Sequence, residues 1–204
     1  MNWLAHLFLS EQNVDFQMGN ILADPLKGKL WDTASIELGK GMAVHKIIDA
    51  YTDSHNIVSK SKASLRKKGL LKAVVIDLTH DYFLTKNWDT FCNIPVKEFT
   101  HNFYAQARER AVHLSPKAQD FINNLVQRDT LNKYHDLKQL KTSFERLDMR
   151  LSPRLRERET ASGYFEVVEK NILDLEKDFM EFFPDLCSCA KAHFSQGTFT
   201  HWRL

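Results

Sequence analysis

No glycine falls between Gly69 and Gly163, and the 204-residue chain holds only seven. Leu, Lys, Glu, Ala and Gln are plentiful through that span, and these residues lose little freedom on entering a helix. No stretch sustains the alternation of β-branched and polar residues that a half-buried strand needs. Ala73–Ile76 (AVVI) could pass for a short buried strand, but the continuation DLTHDYFLTKNW keeps Ile76, Phe83 and Leu84 on a helical period. The expected fold is all-α, a compact helical bundle.

Breaks divide this helical chain at regular places. Asp24-Pro25 and Gly28 end a second element, Gly39 and Gly41 precede or interrupt a third, and Gly69 separates a basic helix from the one carrying His80. Pro95 and Pro116 open helices, where a missing N–H costs nothing. Ser152-Pro153 and Phe183-Pro184 read as further stops, and the tail SQGTFTHWRL as irregular. With 43% hydrophobic residues, no repeat and no linker, residues 1–204 are expected to form one domain.

Composition narrows the function classes. A formal net charge of +2 is too small for bulk nucleic-acid binding. Three cysteines, Cys92, Cys187 and Cys189, make no disulfide framework and suit a reducing cytoplasm. The apolar start MNWLAHLFLS has no basic leader, is too short for a membrane span, and places Leu4, Leu7 and Phe8 at helical spacing. Phosphate-cradling, dinucleotide and nucleophile-elbow motifs are absent.

The residues with chemistry are histidines and carboxylates. His45, Asp49 and Asp53 are spaced four apart in KGMAVHKIIDAYTDSH, which puts them on one helical stripe. Asp77, His80 and Asp81 share the run AVVIDLTHDYFL. Imidazole and carboxylate together suit a divalent metal acting on phosphate. Burying such a group is costly without a cation; the bland alternative is a solvated stripe or a satisfied core histidine. Asp24, before Pro25, is either a turn former or a carboxylate facing a cleft. His6, on the apolar first helix, is either a core residue or an acid in the same cleft. Two basic runs, Lys60–Lys72 and Arg150–Arg158, could dock an acidic partner, although ordinary solvated faces read the same way.

The blocks MNWLAHLFLS, GNILADPLKG, GMAVHKIIDAYTDSH, IDLTHDYFLTKNW and FFPDL, in that order, resemble the acyl carrier protein phosphodiesterases, a family related to the HD phosphohydrolases. The resemblance runs to about Leu186. It implies a circularly permuted HD-like helical fold, with Asp24 ahead of His45 and His80-Asp81. It implies hydrolysis of the phosphodiester joining 4'-phosphopantetheine to a serine of holo acyl carrier protein, with manganese or another divalent metal as cofactor. The ligand candidates are Asp24, His45, Asp49, Asp77, His80 and Asp81. Asp24, His6 and Lys46 are the candidates for catalytic roles, the last two as proton or charge donors to the leaving serine. The family's second block is Trp-Asp-His-Phe-Leu-like where this chain reads Thr-His-Asp-Tyr-Phe-Leu, so Asp77, His80 and Asp81 stand as alternatives within one helix. The implied partner is the acidic carrier protein, with no nucleic acid and no membrane. Two other readings share these residues: an HD-type phosphohydrolase of nucleotides or small phosphoesters, and a non-catalytic helical docking protein.

Overall fold

The computed structural model describes residues 1–66, 68–194 and 199–203. Lys67 of the first basic run and residues 195–198 and 204 of the tail lie outside the described residues. Among the described residues twelve α-helices follow one another: α1 Trp3–Phe8, α2 Val14–Leu22, α3 Ile36–Ser54, α4 Asn56–Leu65, α5 Lys72–Lys86, α6 Trp88–Phe91, α7 Val96–Ala111, α8 Pro116–Gln127, α9 Leu137–Asp148, α10 Pro153–Arg158, α11 Phe165–Lys170 and α12 Ile172–Lys191. Short 3-10 turns cover Thr130–Asn132 and Ser162–Tyr164, and no strand occurs among the described residues. The all-α expectation holds.

Helix starts follow the sequence. Asn13 accepts from the N–H groups of Asp15 and Phe16 at the head of α2, Ser35 from Leu38 on α3, and Asp136 from Gln139 on α9. Ser152 caps α10 with Pro153 at its first position, so the Ser-Pro read as a stop starts a helix instead. Helix α1 is too short to persist alone and is held by burial: Leu4, Ala5, His6, Leu7 and Phe8 are all buried.

Phe8, Phe83, Phe91, Phe179 and Phe183 form an aromatic centre, with Phe179 and Phe183 stacked at 4.9 Å. This centre explains one departure from expectation. Pro184 lies inside α12 rather than ending it. A proline in a helix interior costs about 3 kcal/mol. Phe179, Phe182, Phe183, Leu186 and Cys187, all buried on the same helix, outweigh that cost at roughly 1.5–3 kcal/mol per large apolar side chain.

Gly39 and Gly41 neither precede nor break α3; both sit inside it. A methyl group at Gly41 would run into the backbone carbonyl of Phe16, and one at Gly19 into that of Leu38. Helices α2 and α3 therefore touch backbone to backbone, closer than side chains permit. The described end of the tail has no helix, yet it is anchored. His201 Nε2 and Trp202 Nε1 both donate to the Phe8 carbonyl, at 2.9 and 3.0 Å. No helix among the described residues is long and apolar enough to cross a membrane.

Candidate metal centre

The contact between α2 and α3 builds the site. Asn20 follows Gly19 on α2 and is wholly buried. Its carbonyl oxygen lies 2.7 Å from His45 Nδ1 on α3. A carbonyl can only accept, so Nδ1 carries a proton, and Nε2 is the nitrogen left bare whenever the ring is neutral. The Asn20 side chain does the same for α1. Its Nδ2 donates to the His6 carbonyl and to Ser10 Oγ, each at 2.9 Å, which fixes Oδ1 as the acceptor for His6 Nδ1 at 2.8 Å. One residue thus sets the tautomers of two histidines, whose rings stack with centroids 4.0 Å apart.

Both Nε2 atoms converge on Asp49, one turn after His45. His6 Nε2 is 3.2 Å from Asp49 Oδ1 and His45 Nε2 is 3.0 Å from Asp49 Oδ2. Despite these distances, the two buried Nε2 atoms have no well-directed hydrogen bond. The three donors lie within 4.8 Å of one another, the spacing of groups that can share one cation. Asp24, in the turn after α2, adds an exposed carboxylate oxygen 3.2 Å from His45 Nε2. That turn is closed by Gly28 N donating to the Ala23 carbonyl, with Lys27 and Gly28 both at positive φ.

With no cation bound, the neighbouring carboxylates favour the charged form of His45, so a cation at Nε2 would take the place of a proton. Burial works against a charged His45, but Asp24 and Asp49 outweigh it and lift the imidazole to about 9. For His6, burial dominates and lowers the ring to about 4. Burial would raise Asp49, yet the two histidines and the Met1 ammonium hold it far below the usual carboxylate range. Asp24 is held below its ordinary value by the nearby His45 imidazole. A divalent cation between these groups would satisfy both orphaned Nε2 atoms at once, and the donor set, two imidazole nitrogens with carboxylate oxygens, suits Mn²⁺, Fe²⁺ or Zn²⁺.

The other sequence candidates are placed as follows. Asp77 on α5 meets the Met1 ammonium at 3.1 Å, and the same ammonium reaches Asp49 Oδ1 at 3.2 Å. His80 sits between Phe179 and Phe182, its Nδ1 3.4 Å from Met1 Sδ, and burial depresses it to about 3. The two oxygens of Asp81 accept the Leu4 and Ala5 N–H groups at 2.9 and 3.0 Å. Asp81 therefore satisfies the orphan donors at the head of α1, the helix carrying His6. Neither the His80 ring nor the Asp81 carboxylate joins the cluster of His6, His45 and Asp49. Lys46 is exposed, with its Cε and Nζ against Gly28, in the turn that carries Asp24. Asp53 turns outward and pairs with Lys62 at 2.7 Å.

Sequence reasoning passed over Asn20 as an organiser and Met1 as a charge. The signal for Asn20 was a polar residue after a glycine in the otherwise apolar run MGNIL. Nothing in the sequence marked Met1.

Comparison with known proteins identifies relatives of this chain. Named relatives include acyl carrier protein phosphodiesterases from Photorhabdus laumondii, 27% identical and spanning 90% of this chain and 92% of its own length, and from Yersinia enterocolitica, 26% identical and spanning 94% and 98%. The Escherichia coli O6:H1 protein of the same name is 30% identical, covering 67% of this chain and 72% of its own. No solved structure matches the chain. The family model for acyl carrier protein phosphodiesterase matches residues 1–186, so this chain belongs to the acyl carrier protein phosphodiesterase family.

Proposed function

We propose that this protein hydrolyses the phosphodiester between 4'-phosphopantetheine and a serine of holo acyl carrier protein, releasing apo carrier protein and 4'-phosphopantetheine. The observation that carries the reading is the pair of buried imidazoles whose bare Nε2 atoms converge on Asp49 beside an exposed Asp24. The family membership supplies the substrate class.

His6, His45 and Asp49 would hold a divalent cation, with Asp24 at its open side. Manganese is our choice. Such a cation, when bound, supplies Lewis-acid polarisation of a phosphoryl oxygen and makes a nearby water more acidic. The chain's own residues do the rest. Asn20 keeps both imidazoles in the tautomer that offers Nε2. Asp24 is ionised at neutral pH and exposed, so it can accept the proton of an attacking water. Lys46 offers a positive charge at the rim of the Asp24 turn, where the departing serine oxygen needs neutralising. The Met1 ammonium compensates Asp49 and Asp77 and lets two carboxylates sit close together. His80 and Asp81 support α1 and the Met1 side chain from behind.

Mass spectrometry of holo acyl carrier protein incubated with this protein and Mn²⁺ tests the reading. The expected result is loss of the phosphopantetheine mass from the carrier and its appearance in solution. An intact carrier, with nucleotides hydrolysed instead, would overturn it.

A further inference from the structure

A cavity of about 590 Å³ opens beside the candidate metal centre, sharing Asp24 with it. Much of its lining is apolar, Trp3, Phe121 and Leu147 among it. Arg128, Lys133, Arg146 and Arg150 line it as well, and among the described residues Asp24 is the one carboxylate that does. These four cations come from the end of α8, the 3-10 turn after it, and the end of α9. Among the described residues none of the four makes an ion pair, although like charges crowd there. Burial, with Arg146 and Arg128 nearby, pushes the Lys133 amine below the ordinary lysine value.

The first basic run is different. Lys60 is paired with Asp178 at 2.6 Å, Lys62 with Asp53 at 2.7 Å, and Lys72 donates to the Arg66 carbonyl at 3.0 Å. Arg66 itself lies over the Tyr164 ring at 4.2 Å. Lys60 and Lys62 are thus matched by carboxylates of the protein itself. Arg154, Arg156 and Arg158 of the second run do not line the cavity.

We propose that the collar of Arg128, Lys133, Arg146 and Arg150 is the docking surface for the acidic carrier protein, whose prosthetic arm enters along the Trp3–Phe121–Leu147 lining towards Asp24. This rests on the function proposed above and assigns it a face. Unpaired positive charge beside the reaction centre complements an acidic partner and orients it before chemistry. An arm of methylenes and amides matches a lining that is largely apolar with a few polar groups.

The test is calorimetric titration of apo acyl carrier protein, which binds without turnover, into the wild-type protein, the Arg128→Glu/Arg146→Glu pair and Lys191→Glu. Lys191 does not line the cavity. Charge reversal is expected to weaken binding on the order of tenfold or more and to flatten its salt dependence, while Lys191→Glu stays within about twofold. If circular dichroism shows the reversed pair misfolded, Arg128→Gln/Arg146→Gln should weaken binding on the order of threefold. Equal affinity of wild type and collar variants, or no binding by the wild type, overturns the proposal. Collar-dependent binding of the apo carrier, together with a holo carrier that never loses its arm on incubation with the protein and Mn²⁺, would overturn the proposed function and leave the docking surface standing.

Discussion

Replacing Asn20 with alanine removes the bonds from His6 Nδ1 to Oδ1 and from Nδ2 to the His6 carbonyl and Ser10 Oγ. The His6 carbonyl keeps its bond from Ser10 Oγ at 2.7 Å, so the main orphan is His6 Nδ1–H in a fully buried site. An unsatisfied buried donor costs about 1–3 kcal/mol, and the lost side-chain contacts add about 1 kcal/mol. Asn20→Ala should therefore lower stability to urea by about 2–4 kcal/mol. The backbone carbonyl of Asn20 survives the substitution, so His45 keeps its tautomer and the chemical effect is confined to His6. Losing a hydrogen bond that orients a metal-ligating histidine typically weakens metal binding 10–100-fold, about 1.4–2.7 kcal/mol. Competition with a chromophoric chelator measures this for Mn²⁺. Asn20→Asp keeps an acceptor for His6 Nδ1 and should recover most of the affinity. If Asn20→Ala bound Mn²⁺ as tightly as the wild type while folded, the argument from tautomer control would fail.

Asp24→Asn should abolish arm release with stability changed by less than about 0.5 kcal/mol, because the carboxylate is exposed; measurable turnover by the folded variant would count against its role. Gly41→Ala should destabilise by several kcal/mol, on the order of 3, and reduce metal affinity with it, since the new methyl strikes the Phe16 carbonyl where α2 and α3 touch. His80 is held neutral with its ring near 3 rather than 6.5, so the unfolded chain gains a proton below pH 6.5 that the folded one refuses. Stability is thus whole above that pH and falls below it, by about 2 kcal/mol from this residue at pH 5. Asp81, raised by burial to about 7, works in the opposite direction. The comparison is therefore between wild type and His80→Leu: urea midpoints at pH 7 and 5 should converge more in the variant, and parallel losses would show that His80 does not govern acid sensitivity.

The helical architecture was legible because it depends on local properties. Glycine scarcity, prolines at helix starts and side-chain caps are read within a few residues. Pro184 was misread as a stop because its effect is decided by how much apolar surface the surrounding turns bury, a tertiary quantity. His45 and Asp49 were legible as a pair one turn apart. The approach of His6 needed the α2–α3 contact made by Gly19 and Gly41, which lies between elements. His80 and Asp81 were read from residue type, and residue type does not tell a ligand from a helix cap: Asp81 meets two backbone N–H groups at the head of α1. The Lys60–Lys72 run looked available for docking, yet Lys60 and Lys62 are each paired with a carboxylate of the protein.

The central claim is that His6, His45 and Asp49 together hold one divalent cation at which a phosphodiester is cleaved. A crystal of the Mn²⁺-supplied protein, with diffraction recorded at the manganese edge, tests it directly. The account predicts one anomalous peak within coordination distance of His6 Nε2, His45 Nε2 and Asp49, lost in His45→Ala. A peak bound elsewhere, or a fully active protein with no metal between the two imidazoles, would contradict it.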